Sequence, residues 1–328
     1  FDLRSFTYTA QFHLAEKKGW KSSIGINGMQ QENINHGVEQ LVPDYHLSDF
    51  GVYGYAQKTM GIFNVSGGLR FDTRHIDTDD LLDAGSVKGN GFTRNFSNVS
   101  GSLGMSAALS SQLTIKVNAA RGYRAPSIPE LASNGSHEGT TRYEYGNKDL
   151  KSETSWQFDA GLDFDSKHLS FGITGFYNHF DNFIFYRKLE SVNGGDSVIH
   201  INGEDLTAFR FDQRKASLAG FEATVDIHPH PLDWLHFENT FSYVKGRFSE
   251  AVEGDKDIPF IPAARLVSEL RANFSKTGGR LRNSYIKFEA DNTFAQNNVF
   301  STYNKETRTP GYTLLNAGIG TDVVNAKN

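Results

Sequence analysis

The sequence has no cysteine and only 8 prolines among 328 residues. The lack of cysteine excludes a disulfide framework and thiolate metal sites. No apolar run approaches the roughly 18 to 20 residues that a transmembrane helix needs, and the mean hydropathy is -0.47. The lack of a long apolar run and the low mean hydropathy together exclude a helical membrane protein.

Other absences exclude several classes of function. The net charge of -5 gives no case for nucleic-acid binding. The chain contains no nucleophile elbow, phosphate loop or HExxH motif, and we expect no enzymatic activity and no required cofactor. No basic and apolar leader follows Phe1, so an exported protein would have its N-terminus elsewhere.

Aromatic residues are abundant, with 26 phenylalanines, 13 tyrosines and an aromatic content of 13%, and glycine occurs 32 times. This composition is typical of pleated strands joined by many turns. A low mean hydropathy remains compatible with a transmembrane β-barrel, because barrel strands alternate between a lipid face and a polar face.

Residues with a period of two, bounded by turn residues, predict about thirteen strands. The predicted strands are 3–14, 20–28, 49–58, 63–73, 94–109, 112–121, 153–165, 168–186, 207–228, 233–248, 262–274, 281–296 and 311–323.

The predicted connections alternate in length. Short turns are expected at 15–19, 59–62, 110–111, 166–167, 229–232 and 275–280, and long loops at 29–48, 74–93, 122–152, 187–206, 249–261 and 297–310. An up-and-down barrel with short periplasmic turns and long extracellular loops produces this pattern.

Alternation within strands favours the same fold. Trp156, Phe158 and Leu162 share one face of their strand, whereas Gln157 and Asp159 share the other. A soluble antiparallel β protein with one wet face is the alternative. Because bacterial single-chain barrels have an even number of strands, about thirteen predicts an incomplete all-β, antiparallel, up-and-down transmembrane barrel over residues 1–328.

Two motifs flank the loop after Asn118. The first box is Tyr123, Arg124, Ala125 and Pro126, and the second is Gly146, Asn147, Leu150 and Glu153. Their pairing resembles the TonB-dependent outer-membrane receptors. Residues 261–274, with Pro-x-x-Arg, and residues 309–320, with Pro-Gly-Tyr, resemble two further segments of that family.

The resemblance implies a barrel of about 22 strands, of which this chain would supply roughly the eighth to the twentieth. The family's N-terminal plug, its TonB box and its final strands are expected to lie outside the sequence. The resemblance further implies a bacterial outer-membrane location, contact with lipid, and interaction with the TonB complex through the missing N-terminal region.

The predicted long loop 122–152 holds the candidate ligand-binding residues. Imidazole, carboxylate, guanidinium and phenol groups could converge there on a metal or a metal complex. The candidates are Arg124, His137, Glu138, Tyr143 and Glu144. His137 is also the candidate metal ligand, because certain haem receptors of the family and a zinc-receptor branch carry a histidine in such loops.

Three further sequence features concern the identity of the ligand that would be bound. The second box reads Gly-Asn-Lys-Asp-Leu, whereas the haem type has Asn-Pro-Asn-Leu. His36, His46, His75 and His200 fall in predicted long loops and would help to capture a metal. The run of Asp77, Asp79, Asp80 and Asp83 has oxygen ligands suited to calcium but lacks EF-hand spacing.

His228 and His230 have ligand-like spacing around Pro229. They fall in a short turn at the end opposite the long loops, and we interpret them as part of a structural turn.

The resemblance implies TonB-dependent import of a scarce metal or metal complex, such as an iron-siderophore complex, haem or zinc. A passive porin would show the same strands and sorted loops without the two boxes. A surface adhesin or enzyme on a barrel is the third alternative, but no catalytic constellation is visible.

Overall fold

The computed structural model describes residues 1–37, 40–83, 85–136, 140–201, 203–274, 281–303 and 305–323. Within these ranges thirteen long strands account for most of the chain. They are β1 (Asp2–Lys17), β2 (Trp20–Ile34), β3 (Tyr45–Met60), β4 (Phe63–Thr78), β7 (Phe92–Ala108), β8 (Leu113–Arg124), β11 (Glu153–Asp165), β12 (Leu169–Lys188), β14 (Glu204–Ile227), β15 (Leu235–Val252), β17 (Arg265–Phe274), β18 (Leu281–Thr293) and β19 (Tyr312–Val323).

Shorter elements occupy the connections at one end of the sheet. They are β5 (Leu81–Asp83), β6 (Ser86–Gly89), α1 (Ile128–Ala132), β9 (Asn134–Ser136), β10 (Arg142–Tyr145), β13 (Val198–Ile201) and β16 (Asp255–Asp257). The described residues include no helix with the length and apolar character needed to cross a membrane.

The long strands form an antiparallel meander in which each strand pairs with the long strands before and after it. In the part of the chain that the structure describes, β1 pairs only with β2 and β19 only with β18. The sheet is therefore open at both edges. This confirms the predicted all-β, up-and-down architecture and agrees with an incomplete barrel.

Among the described connections, loop lengths are sorted between the two ends of the sheet, as predicted; the turn predicted at 275–280 lies outside the described residues. At the short-turn end, Lys18 and Gly19 have φ angles of 53° and 77°, which allow the two-residue hairpin between β1 and β2. The connections at the other end, the long-loop end, carry α1 and the six short strands.

Several strands extend further toward the long-loop end than the alternation predicted. β2 continues to Ile34, β3 already begins at Tyr45, and β4 continues to Thr78. The prediction that His46 and His75 lie in loops was therefore wrong, and His200 lies in β13. Backbone hydrogen bonding between the strands continues past the apolar band, because an antiparallel sheet with polar side chains is stable in contact with water.

The two faces of the sheet differ in polarity. Large apolar side chains are exposed on one side, which we call the apolar face: Leu69 is 70% exposed, Phe158 52% and Leu315 81%. Apolar surface on this scale is typical of contact with lipid rather than water. The alternation predicted for Trp156 and Phe158 against Gln157 and Asp159 matches this division.

The opposite side, the polar face, carries ion pairs that cross from strand to strand. Arg74 pairs with Asp49 through two contacts of 2.7 Å, and Arg265 pairs with Asp291 at the same distances. Lys287 Nζ lies 2.7 Å from Glu269 and 3.3 Å from Glu289. Each of these three cations therefore has an acidic partner in a neighbouring strand.

Candidate functional site

The first box ends β8 and starts the long loop that contains α1. Ser127 caps α1 in a capping box, in which Glu130 Oε2 accepts from the Ser127 backbone N–H at 2.7 Å. Arg124 donates from Nη1 to both carboxylate oxygens of Glu130, at 2.9 and 2.7 Å. Arg124 Nη2 also lies 3.4 Å from Glu153 Oε2. This guanidinium thus joins the two boxes.

The second box closes the loop over the helix. Gly146 N donates to Ser133 O at 2.6 Å, and Asn147 N donates to Glu130 O at 2.8 Å. A Cβ atom at Gly146 would lie 2.4 Å from the backbone nitrogen of Ala132, so only glycine fits this close approach.

Apolar packing completes the connection between the boxes. Leu150 is 1% exposed and packs in one cluster with Ala125, Ile128 and Leu131. Pro126 is fully buried as well. We call the two boxes and this cluster the clasp, and its contacts explain why the motif residues occur together.

The remaining candidates lie beside the clasp. Tyr143 is buried and donates from its hydroxyl to Asn134 Oδ1 at 2.8 Å, and burial raises its pKa. Glu144 is 1% exposed and lies 3.3 Å from the Arg142 guanidinium. The structure brings Arg124, Tyr143 and Glu144 into one loop, but each is engaged with protein groups. Their role in ligand binding stays a prediction.

His137 and Glu138 lie outside the described residues, so the predicted metal ligand stays a prediction. His46 Nε2 lies 3.7 Å from Glu32, and His75 Nδ1 lies 2.7 Å from Asn95 Oδ1. In the described ranges these histidines join no group of three metal-ligating side chains.

The acidic run that begins at the end of β4 is likewise divided among separate partners. Asp77 accepts from Thr93 Oγ1 at 2.6 Å, and Asp80 accepts from Gly91 N at 2.7 Å. Asp83 lies 3.6 Å from Lys88 Nζ. These carboxylates do not converge among the described residues, and a calcium site there has no support from this arrangement.

A second feature of the long-loop end is the extended hairpin of β12 and β14. The pairing register shifts between Phe180 and Phe183, where Asn182 has a φ angle of 57°. This is a β-bulge, and it reverses the alternation of side chains beyond it. As a result the rings of Phe180 and Phe183 lie on one side, with centroids 5.5 Å apart.

At the long-loop end of this hairpin, side chains from other segments pack against both faces of the strands. Ile184 packs into the clasp, whereas Phe185 packs against Phe248, with ring centroids 4.9 Å apart. We call the second set the aromatic cluster, and its buried members are Phe185, Phe209, Ala216, Phe248, Val252, Ile258, Phe300 and Tyr303. The sequence does indicate that this part of β12 is buried, because the unbroken apolar run 183–186 is typical of a strand covered on both faces.

The aromatic cluster forms one wall of a cavity of about 630 Å³ at the long-loop end. Its lining is mostly aromatic and aliphatic, and Phe260 stands at its edge with 71% of its surface exposed. Phe260 has a φ angle of 62°, an uncommon conformation for a bulky residue and one that clusters at ligand sites. We call this cavity the aromatic cleft.

Cationic groups lie among the aromatic rings. The Arg142 guanidinium stands 4.8 Å from the Tyr186 ring centroid and 6.0 Å from that of Phe209. Lys305 also lines the cleft, and its Nζ lies 3.4 Å from Thr141 Oγ1. The Glu306 carboxylate accepts from the backbone N–H groups of Phe260 and Phe300, at 3.2 and 3.0 Å. The cleft therefore combines apolar walls with two cationic groups, of which Arg142 is paired with Glu144, and with the Glu306 carboxylate.

Tyr303 provides a pH-dependent probe of the aromatic cluster. Burial raises the pKa of its phenol to about 12, so the folded loop favours the neutral form. Because the folded pKa lies above the usual value of about 10, this contribution to stability is complete below pH 10 and is lost as pH rises through 12. We expect ultraviolet titration of the folded protein to show a late-ionising tyrosine that is absent from Tyr303→Phe. An unchanged titration curve in the variant would contradict this assignment.

Comparison with known proteins places this geometry in a family. The family described as TonB dependent receptor-like, beta-barrel matches residues 4–327. The chain belongs to this family. The predicted resemblance is therefore confirmed, and the apolar face is the surface that an outer-membrane barrel presents to lipid.

Two curated relatives of this chain are named as receptors for ferric enterobactin. It is 31% identical over 163 residues to the ferric enterobactin receptor of Pseudomonas aeruginosa, covering 45% of this chain and 20% of the relative. It is 28% identical over 173 residues to the ferrienterobactin receptor of Escherichia coli, covering 50% of this chain and 20% of the relative.

Solved receptor structures share the fold. The copper transporter OprC superposes with a TM-score of 0.73 and 15% identity, covering 95% of this chain and 47% of that structure. The ferric yersiniabactin uptake receptor of Yersinia pestis gives a TM-score of 0.67 and 14% identity, covering 97% and 46%. The chain thus spans just under half of these structures. All four proteins are named as receptors or transporters, in agreement with the prediction that the chain is not an enzyme.

Proposed function

We propose that this chain belongs to a transporter that imports a metal complex across the outer membrane, and that the aromatic cleft captures the complex. The observation that carries the proposal is the cleft itself, with aromatic walls and cationic groups at the long-loop end. Two relatives of the chain are named as receptors for ferric enterobactin, which supports a cargo of this kind.

The chemistry of the cleft favours one class among the cargoes that the sequence left open. A ferric complex with aromatic, anionic chelating groups, such as a catecholate, would stack on Phe260 and Tyr186, and the Lys305 ammonium would offset part of its charge beside the Glu144-paired Arg142. Bare zinc needs nitrogen, sulfur or carboxylate ligands, and the lining residues contribute few of these. Haem shares the aromatic and anionic character and is therefore the comparison ligand.

The proposed mechanism follows from the family. The cleft binds the complex, a plug domain outside this chain gates the barrel, and the TonB complex supplies the work. The predicted contacts of Arg124, His137, Glu138, Tyr143 and Glu144 with the ligand belong to this proposal. Passive diffusion through a porin would need neither energy nor a binding cleft.

Replacing the exposed ring at the edge of the cleft tests the proposal. We expect Phe260→Ala to weaken binding of ferric enterobactin by about tenfold, because one aromatic contact of about 1 kcal/mol and its buried area are lost. The measurement is fluorescence quenching of the intact receptor in detergent. Phe288→Ala is the matched control, since Phe288 is 61% exposed on the apolar face.

Equal affinity in Phe260→Ala and the parent protein would contradict capture in the cleft. If ferric enterobactin does not bind, haem and Zn²⁺ titrations on the same samples identify the cargo as the ligand whose binding is weakened in Phe260→Ala. In cells, a protonophore should stop uptake but leave binding intact. Uptake that continues without energy would support a passive channel instead.

A further inference from the structure

The short-turn end holds a group of nitrogen and oxygen ligands far along the strands from the aromatic cleft. Asp226 lies near the end of β14, His228 follows that strand, and His236 is the second residue of β15. Asp226 Oδ2 lies 2.7 Å from His228 Nε2 and 3.2 Å from His236 Nδ1. One ligand atom from each residue falls within 4.8 Å of the others.

Strand alternation directs these side chains to the polar face. Their neighbours Ile227 and Phe237 are 40% and 42% exposed on the apolar face, so Asp226, His228 and His236 point to the other side. The group is half-buried there, and water can reach it from the polar face. An ion therefore has a path of entry.

Surrounding contacts orient the ligand atoms. His228 Nδ1 lies 3.3 Å from the Lys167 carbonyl oxygen, and a ring nitrogen that donates to a carbonyl leaves the other nitrogen to bind a metal. The His228 backbone N–H donates to His168 O at 3.0 Å, which fixes the turn. Asp226 Oδ1 is buried and has no hydrogen-bond partner among the described residues.

We infer that Asp226, His228 and His236 form a binding site for a divalent transition-metal ion of the Zn²⁺ class. Two imidazole nitrogens and one carboxylate oxygen are a ligand set that Zn²⁺ and Cu²⁺ prefer, whereas Ca²⁺ and Mg²⁺ prefer oxygen alone. Three protein ligands leave a fourth position for water. The ion would link the start of β15 to the end of β14. The inference does not depend on what the aromatic cleft binds.

The inference goes beyond the interpretation of His228 and His230 as part of one structural turn. His228 belongs to the proposed site, but His230 does not. His230 instead lies with His168, with ring centroids 5.6 Å apart, and its Nδ1 is 3.6 Å from Asp233 Oδ2. The side chain of His230 is 68% exposed. Its position on the same turn makes it a matched control.

Zn²⁺ titration by calorimetry on the intact receptor in detergent tests the site. We expect the parent protein to bind Zn²⁺ saturably, and His236→Ala and Asp226→Asn each to lower the affinity by at least about tenfold. His230→Ala and His200→Ala should retain the parent affinity. Ca²⁺ should not compete.

Folding of each variant is checked by the mobility shift that a folded barrel shows on gels when it is heated. Electron paramagnetic resonance of Cu²⁺ on the unmutated protein gives a second readout, with hyperfine splitting expected from two ring nitrogens. Unchanged Zn²⁺ affinity in folded His236→Ala, a larger loss in His230→Ala, equal competition by Ca²⁺, or a Cu²⁺ signal without nitrogen splitting would each overturn the assignment.

Discussion

Phe158→Arg is expected to destabilise the intact receptor in lipid by about 2–4 kcal/mol, the cost of a cationic side chain on the lipid face near the bilayer midplane. Phe158 lies near the middle of β11 and is 52% exposed on the apolar face. The arginine would have to leave water for hydrocarbon. Reversible denaturant unfolding in vesicles, followed by tryptophan fluorescence, measures the change.

Gln157→Arg is the control because it places the same charge one residue away on the polar face. Gln157 donates to Asp159 Oδ1 at 2.8 Å, so a cation there meets a carboxylate. We expect a change within about 0.5 kcal/mol. Equal costs for the two substitutions would show that the faces of β11 are assigned wrongly.

Phe248→Ala is expected to cost about 3–5 kcal/mol in local stability, which is typical of removing a buried phenylalanine. Phe248 is 2% exposed, and its ring lies 6.1 Å from Phe183 and 6.3 Å from Phe300, centroid to centroid. Loss of this ring removes the support of the connection between β18 and β19. Faster hydrogen exchange in residues 297–303 and new proteolytic cuts there would report the change.

The same substitution should weaken ligand binding, because Phe300 and Tyr303 line the aromatic cleft. Phe248→Leu is the matched variant, since it keeps much of the buried volume and should lose less of both stability and affinity. A loss of stability without any loss of binding would place the ligand elsewhere in the long loops. No loss of either would contradict the packing of the aromatic cluster.

The strands could be predicted because their signal is local. Alternation of apolar and polar residues identified all thirteen long strands, and the sorting of turn residues identified the two ends of the sheet. The six short strands and α1 were missed, because segments of three to five residues carry too little periodicity to be recognised. Strand ends such as Tyr45 and Thr78 were missed because hydrogen bonding continues past the apolar band.

The candidate site was predicted only in part. The motif residues Arg124, Gly146 and Leu150 were identified by resemblance, but their contacts with Glu130, Ala132 and Ile128 join residues across a folded loop. The aromatic cleft was missed, since a β-bulge at Asn182 and three separate connections are needed to build it.

By itself the sequence determined the fold class, the two faces of the sheet and the family, because these depend on residue periodicity and on short motifs. Only the tertiary structure decided which side chains meet. Asp226 and His236 are ten residues apart, and the Phe248 ring contacts both Phe183 and Phe300. Such contacts depend on strand register, bulges and loop packing, and no local pattern in the chain encodes a distance between distant residues.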